Sequence, residues 1–227
     1  MLHKEKYMPP KTKYTKEEIV NASLRIASRY SIDEVKAREV AAVLGSSPRP
    51  IFTYFDSMDS LREEVKKKAL ELFDSYLKIA DNYTPSFKMR GMQLIKFAQN
   101  EPNLFRMLFM TTEKSKPFNE YIKDHIANYE SDITGIIKAY SISREDAEFI
   151  FGQLWIHSYG ICVMCVTGVC GIPESTITRM LGECFEGEIL LAKSGITKLA
   201  SFPPVPNDSE KASVMSKPFT EIKEEKQ

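Results

Sequence analysis

The sequence contains few of the residues on which catalytic and metal sites usually depend. Its 227 residues include three histidines and four cysteines, and no histidine stands in a recognisable nucleophile or metal-binding motif. A glycine-rich phosphate-binding loop is also missing. These absences argue against an enzyme and against a bound cofactor, and a helical enzyme is retained only as an alternative interpretation.

The sequence also lacks a net charge, because 31 lysines and arginines balance 31 aspartates and glutamates. A chain that bound nucleic acid over its whole surface would carry an excess of basic residues. Such an excess occurs in residues 1–16, where five lysines accompany one glutamate, giving 5 − 1 = +4. We expect residues 1–14 to form either a basic arm that reaches the minor groove or adjacent phosphates, or a solvated terminus.

Strand-like alternation of apolar and polar residues is not sustained between turn signals. The hydrophobic content of 43% suffices for a core, and helical spacing of the apolar residues predicts an all-α protein. We expect a three-helix N-terminal domain at 15–60, a larger helical domain at 61–195 and an extended or disordered tail at 196–227. The longer helices are predicted at 59–80, 85–100, 102–111, 117–140, 143–169 and 174–194.

Residues 36–55 have the pattern of a helix-turn-helix motif. Val40 and Val43 mark one face of a short helix, and Gly45 follows where a tight turn needs a positive φ. Ser47 then stands at an expected N-cap, with prolines in a first turn that tolerates them. The pattern predicts two short helices joined by a turn, which is the layout of a DNA reader and also occurs in proteins that do not bind DNA.

The segment before this motif supports a DNA-reading domain. Thr15 and Glu18 have the spacing of a capping box, and apolar residues follow at helical spacing as far as Tyr30. Three helices, the last two close together, are therefore expected ahead of a long fourth helix from Asp59.

Together these segments resemble the TetR family of bacterial transcriptional regulators. The resemblance covers roughly residues 15–65, and a weaker similarity to the ligand-binding half of one subset of the family appears at 102–109 and 155–160. The residues that carry the main resemblance are Ile19, Val20, Ala22, Ile26, Ala27, Arg38, Glu39, Val40, Ala41, Gly45, Ser47, Ile51, Phe52, Tyr54, Phe55, Ser57, Asp59 and Leu61.

The resemblance implies that a short set of side chains contacts double-stranded DNA. Lys36 and Arg38 would face the phosphate backbone, and Tyr54 would touch the backbone or support the second helix. Arg49 is expected to read a guanine, because its planar fork matches O6 and N7 together. The predicted DNA-binding residues are Lys36, Arg38, Ser47, Pro48, Arg49, Phe52, Thr53 and Tyr54.

Five positions depart from the family pattern, and one of them is Ser31, which replaces a frequent helix-ending glycine. Phe52 stands where tyrosine is usual, Pro50 replaces a small polar residue, and Asp56 and Met58 occupy positions where lysine is common. These changes predict weaker or differently distributed contacts to the DNA backbone.

No aspartate, glutamate, lysine or arginine occurs from 149 to 172. A run of this length would allow a membrane span, but polar residues interrupt it and no basic cluster flanks it. A helix that is apolar on all sides is otherwise buried on all sides. The resemblance implies that helices 143–169 and 174–194 pair with their copies in a homodimer, which would place two readers on a palindromic operator.

Aromatic residues and methionines are frequent between the reader and the helices expected to dimerise. Methionine adapts to irregular shapes, so this region suits an apolar cavity, although ordinary core packing is the simpler interpretation for each residue alone. The predicted ligand-binding residues are Met92, Phe105, Phe109, Met110, Tyr121, Trp155 and Tyr159.

The cysteines leave one alternative open. Cys162 and Cys165 lie three residues apart on one predicted helix, which would bring two thiolates together, whereas Cys170 is expected beyond the end of that helix. Because buried cysteines commonly behave as small apolar residues, a cysteine-based metal or redox sensor is an alternative, and no metal ligands are predicted. The chain shows no signal peptide, so we expect a cytoplasmic protein with free thiols.

The sequence therefore predicts a cytoplasmic, ligand-responsive, homodimeric transcriptional regulator that binds DNA. In this interpretation it is a repressor that a small apolar or aromatic effector releases from a palindromic operator. No membrane partner is expected.

Overall fold

The structure is a computed structural model of the chain and describes residues 14–83, 86–111, 117–126 and 128–194. Within these ranges it contains helices, turns and loops and no strand, which confirms the predicted all-α class. The predicted arm up to residue 13 and the predicted tail at 196–227 lie outside the described residues. The α-helices are α1 (Lys16–Arg29), α2 (Ala37–Leu44), α3 (Met58–Ile79), α4 (Phe87–Asn100), α5 (Pro102–Phe109), α6 (Phe118–His125), α7 (Tyr129–Tyr140), α8 (Arg144–Thr167) and α9 (Glu174–Ser194).

The chain divides into two compact units, Met1–Leu190 and Leu191–Gln227. The first unit holds α1 to α8 and most of α9. In the second unit, the described residues are the last turn of α9, where the Ser194 hydroxyl donates to the carbonyl of Leu191 over 2.8 Å. The predicted division into a reader domain and a larger helical domain stays a prediction.

The first helix begins with the predicted capping box. The Thr15 hydroxyl accepts from the N–H of Glu18 at 3.1 Å, and the N–H of Thr15 donates to the Glu18 carboxylate at 2.7 Å. The pKa of the Glu18 carboxyl is lowered mainly by the hydrogen bond from the N–H of Thr15 and also by one that the Thr15 hydroxyl donates at 3.0 Å. The helix α1 buries Ile19, Ala22 and Ile26 and packs against α2, α3 and α5.

The long helix α3 connects the N-terminal helices with the larger helical part. A second capping box starts it, in which the Ser57 hydroxyl accepts from the N–H of Ser60 at 3.1 Å. Its buried face repeats every four residues from Leu61 to Leu77 and contacts α1, α4 and α5. The packing is therefore continuous from α4 through α3 to the N-terminal helix α1.

Among the longer helices, one prediction is wrong. The segment 117–140 forms two helices, α6 and α7, instead of one. After α6 the backbone of Ile126 is extended, with φ −129° and ψ 99°, and its side chain is buried. Burial of this side chain outweighs the helical preference of the segment. The ends of the other long helices agree with the prediction to within about two residues, the usual uncertainty of helix ends.

The helix α8 is long and apolar enough to cross a membrane by length and composition alone. A core helix of a soluble protein passes the same test, so this finding carries little weight. In the structure α8 packs along α4, α5 and α7 and buries Ile150, Ile161 and Cys162 among other residues. The helix thus forms part of the core of the first unit.

Candidate nucleic-acid interface and ligand cavity

The turn after α2 has the conformation that the sequence predicts. Gly45 adopts φ +62°, its N–H donates to the carbonyl of Ala42 at 3.1 Å, and the N–H of Ser46 donates to the carbonyl of Ala41 at 2.9 Å. These two hydrogen bonds form a Schellman motif, which satisfies carbonyls at the helix end. The rotation of α2 differs from the prediction, because Ala41 is buried and Val43 is 48% exposed.

The second helix of the predicted motif is replaced by a short 3-10 turn over Ile51–Thr53, which we call the reader turn. Ser47 does not cap it, because Pro50 is the residue before the turn. Pro50 has no N–H to donate, and its ring disfavours a helical conformation at Arg49. The segment closes hydrogen bonds over three residues instead, from Ile51 N–H to the carbonyl of Pro48 at 3.1 Å and from Thr53 N–H to that of Pro50 at 3.3 Å.

The side chains in and around the reader turn differ in their exposure to solvent. Ile51 and Phe55 are buried beneath it. Two predicted DNA-binding residues, Pro48 and Tyr54, are half-buried. The exposed predicted residues are Lys36, Arg38, Ser47, Arg49, Phe52 and Thr53.

Tyr14 links the end of α2 to the residue that follows the reader turn, and no pattern in the sequence predicts this contact. Its hydroxyl donates to the carbonyl of Leu44 at the end of α2, and its own carbonyl accepts from the Tyr54 hydroxyl at 2.9 Å. Tyr54 is thus tied to Tyr14 at the end of the reader turn, and its role in DNA binding stays a prediction. No spacing rule reveals such a contact, because Tyr14 and Tyr54 are forty residues apart.

The charges around the reader turn balance one another. Lys36, Arg38 and Arg49 contribute three positive charges between residues 36 and 59, and Glu39, Asp56 and Asp59 contribute three negative ones. Lys36 is also paired with Glu34 through an N–O distance of 3.0 Å. Contact of Lys36 with a phosphate would therefore have to replace this exposed ion pair.

Four of the predicted ligand-binding residues lie together in an aromatic cluster. The ring centroid of Phe105 lies 5.0 Å from that of Phe109 and 5.8 Å from that of Tyr159. The centroids of Phe109 and Trp155 are 6.5 Å apart. The Tyr159 hydroxyl donates to the carbonyl of Phe109 at 2.7 Å. The four side chains thus fill space between α5 and α8 by contacting one another.

The other three predicted ligand-binding residues lie apart from this cluster. Met110 is 40% exposed at the end of α5, and Tyr121 is half-buried on α6. Met92 lines a cavity of about 250 Å³ between α4, α8 and α9. This cavity also involves side chains that the sequence analysis did not select, among them Phe87, Lys88, Leu154, Ser158, Leu181 and Phe185.

The helix α8 carries an exposed apolar stripe. Phe149 is 60% exposed and Ile156 is 54% exposed, and Gly160 lies exposed one turn further along. Their spacing of seven and four residues places them on one face. On the neighbouring side Gly152 accommodates a ring of the same chain, because a Cβ added there would lie 2.9 Å from the ring of Phe118.

The cysteines are free thiols in different surroundings. Burial raises the pKa of the Cys162 thiol far above its ordinary value, whereas Cys170 is exposed beyond the end of α8. Over the described ranges no three histidine, cysteine, aspartate or glutamate side chains are grouped so as to hold a metal ion. Cys162 is thus unsuited to redox sensing, since the thiolate is the reactive form.

Comparison with known proteins identifies the fold. No model of a protein family and no curated protein matches the sequence. Among solved structures, the chain is similar to a TetR-like transcriptional regulator from Rhodococcus sp. RHA1, with a TM-score of 0.51 and 14% identity over 79% of this chain and 96% of that one. A second transcriptional regulator from the same organism gives a TM-score of 0.45 and 13% identity over 80% and 97% of the two chains. The chain therefore has the fold of a TetR-like transcriptional regulator.

Proposed function

We propose that this chain is a cytoplasmic, homodimeric transcriptional regulator that binds a palindromic operator. The observation that carries the proposal is the reader turn with its exposed side chains, which follows the Gly45 turn in the chain, within the fold of a TetR-like regulator. Arg49 and Thr53 are exposed, and in this proposal their side chains contact base edges in a major groove. No catalytic role is proposed.

A dimer is supported by the apolar stripe of α8 and by the size of the reader turn. Phe149 and Ile156 expose apolar surface that a second copy would bury. One short turn contacts too few bases to specify a site, whereas two turns related by a twofold axis read both halves of a palindrome.

The route from an effector to the reader turn is proposed to run through Arg90 on α4. Its guanidinium donates to Asp132 on α7, to the carbonyl of Leu77 on α3 at 3.1 Å and to Asp81 at 2.9 Å. A ligand beside α4 that prefers one position of this helix would shift the end of α3 with it. We infer that this shift changes the spacing of the two reader turns and releases the operator, so that the protein is a repressor.

The test is selection of sequences from a random pool of double-stranded DNA with the purified full chain. We expect a palindromic consensus whose enrichment falls as salt rises, because phosphate contacts release counterions. Arg49→Ala should relax one position in each half-site, since a bidentate contact to guanine contributes about 1–3 kcal/mol of discrimination.

The matched control is Arg25→Ala, which removes the same charge from an exposed position on α1. It should leave the consensus unchanged. If the unaltered protein enriches no sequence at low salt, DNA reading is wrong; if both variants lose the consensus equally, Arg49 is not a base-reading residue.

A further inference from the structure

The cavity between α4, α8 and α9 combines apolar walls with one cation and one unpaired hydroxyl, and we propose that it binds small hydrophobic carboxylates. This proposal rests on the proposed function, because it names the chemical class of the effector. Three features of the cavity carry it: its shape, its charge and its buried polar atom.

The cavity is a slot whose two sides are formed by α4 and α9, which run antiparallel to each other. Lys88 at one end of the slot lies beside Phe185, and Met92, one turn along α4, lies 4.0 Å from the hydroxyl of Thr178. Beyond these residues Lys96 and Glu174 join the same helices through an N–O distance of 3.5 Å. The volume of about 250 Å³ suits a short alkyl chain or a single aromatic ring.

The walls of the slot are mainly apolar. Phe87, Met92 and Leu181 are buried, and Phe185 is buried on the side of α9. Such walls favour the apolar body of a ligand, whereas a few polar groups set its orientation. The chemical class of the ligand therefore depends on the polar groups in the lining.

Lys88 is the charged side chain in the described lining, and no carboxylate accompanies it there. Its Nζ lies 4.8 Å from the centroid of the Phe185 ring, and its side chain is exposed at the edge of the slot. A cationic ligand would be repelled at this position, and an anionic one would form an ion pair. The sign of this charge selects carboxylates over amines.

Ser158 is the buried polar group of the slot. It is 1% exposed, and its Oγ has no hydrogen-bond partner among the described residues. The close approach of α4 at Gly91 leaves no room for a side chain there, since an added Cβ would lie 2.6 Å from this Oγ. A buried hydroxyl without a partner is rare, and a ligand oxygen that reached it from the slot would supply the missing acceptor.

The first experiment compares three ligands with the same chain length, namely octanoate, octan-1-ol and octylamine. Binding is followed by the fluorescence of Trp155, the single tryptophan, which borders a small void that Ser158 also lines. We expect saturable binding that is tightest for octanoate and absent for octylamine. Binding of octylamine as tight as that of octanoate, or no saturable binding of octanoate, would overturn the proposal.

Variants then locate the site. Gly182→Leu should abolish octanoate binding, because Gly182 lines the slot and space is open around an added Cβ. Gly187→Leu is the matched control, since Gly187 lies on the same helix with equally open space but does not line the slot, and it should bind octanoate normally. Equal binding by both variants would place the ligand elsewhere and contradict the proposal.

Two further variants test the polar groups. Lys88→Gln should weaken octanoate binding roughly three- to tenfold and leave octan-1-ol unaffected. Ser158→Ala should weaken both ligands by about the same factor without destabilising the free protein, because its hydroxyl is unpaired there. If Lys88→Gln weakens both ligands equally, the charge does not select the ligand.

These titrations contain no DNA, so their outcome is independent of the DNA selection. Binding of octanoate without an enriched operator would support the carboxylate site and contradict the proposed DNA-binding function. An enriched operator without octanoate binding would support the DNA-binding function and contradict the carboxylate site.

Discussion

At the scale of single residues, the buried ion pair of Arg90 and Asp132 determines how α4 is held against its neighbours. Both side chains are almost fully buried. Burial raises the pKa of Asp132, and the hydrogen bond from Arg90 offsets part of this rise. Each charge is tolerated in these surroundings because its partner is present.

We therefore expect Asp132→Ala to lower the free energy of unfolding by about 3–5 kcal/mol, because the guanidinium of Arg90 would remain buried without its anion. The double variant Arg90→Met/Asp132→Leu should recover most of this loss, since it removes both charges and keeps apolar volume. Asp81→Asn is the control and should cost at most about 1 kcal/mol, because Asp81 is exposed. Urea denaturation measures all three; equal losses in the single and double variants would contradict this role of the ion pair.

At the scale of secondary-structure elements, Gly45 and Gly187 differ in whether their backbone conformation requires a glycine. Gly45 closes α2 at a positive φ that other residues adopt at a cost. Gly187 lies inside α9, where space is open around an added Cβ. Only the first glycine is required by its backbone conformation.

The alanine variants of these two glycines should change stability in opposite directions. Gly45→Ala should lower the free energy of unfolding by about 1–2 kcal/mol through left-handed backbone strain. Gly187→Ala should raise it by about 0.5–1 kcal/mol, because alanine loses less backbone entropy in a helix. Thermal and urea denaturation of the two proteins provide the comparison, and destabilisation by both variants would show that Gly187 is also constrained.

Elements whose causes are local were predicted from the sequence, and elements set by tertiary contacts were not. The capping box of Thr15 and the positive φ of Gly45 depend on neighbours in the chain, and both are confirmed. The break at Ile126 depends on burial, which periodicity does not report. The reader turn is an intermediate case. The sequence predicts that Pro50 is tolerated in the first turn of a second helix, but this segment forms a 3-10 turn instead.

The same distinction holds for the candidate sites. The exposed positions of Arg49 and Thr53 follow from the local motif. The contact of Tyr14 with Tyr54 and the slot between α4, α8 and α9 join residues far apart in the sequence, so composition pointed to a cavity without identifying most of its lining.

At the scale of the whole molecule, the exposed apolar face of α8 is the surface that a second copy of the chain would cover in the proposed dimer. Phe149 and Ile156 lie on a face that follows the helix for at least two turns. Burial of such side chains in an interface contributes about 25 cal/mol for each Å² of apolar surface.

Introduction of a charge on this face should separate the proposed dimer. We expect Ile156→Glu to be a folded monomer, because its carboxylate would have no partner at the centre of the buried stripe. Leu70→Glu changes an exposed leucine on α3 and should remain dimeric. Size-exclusion chromatography with light scattering gives the masses of both variants. If the unaltered protein is a monomer, the proposed interface is wrong.

The short reader turn has a consequence for how such a protein would find its sites in a genome. A turn of three residues has less recognition surface than an α-helix, so each half-site would carry less sequence information. Each mismatched base pair typically costs about 1–3 kcal/mol, and many near-matching sequences then compete for the protein. If the chain reads DNA as proposed, occupancy of its operator would depend strongly on the number of protein copies in the cell.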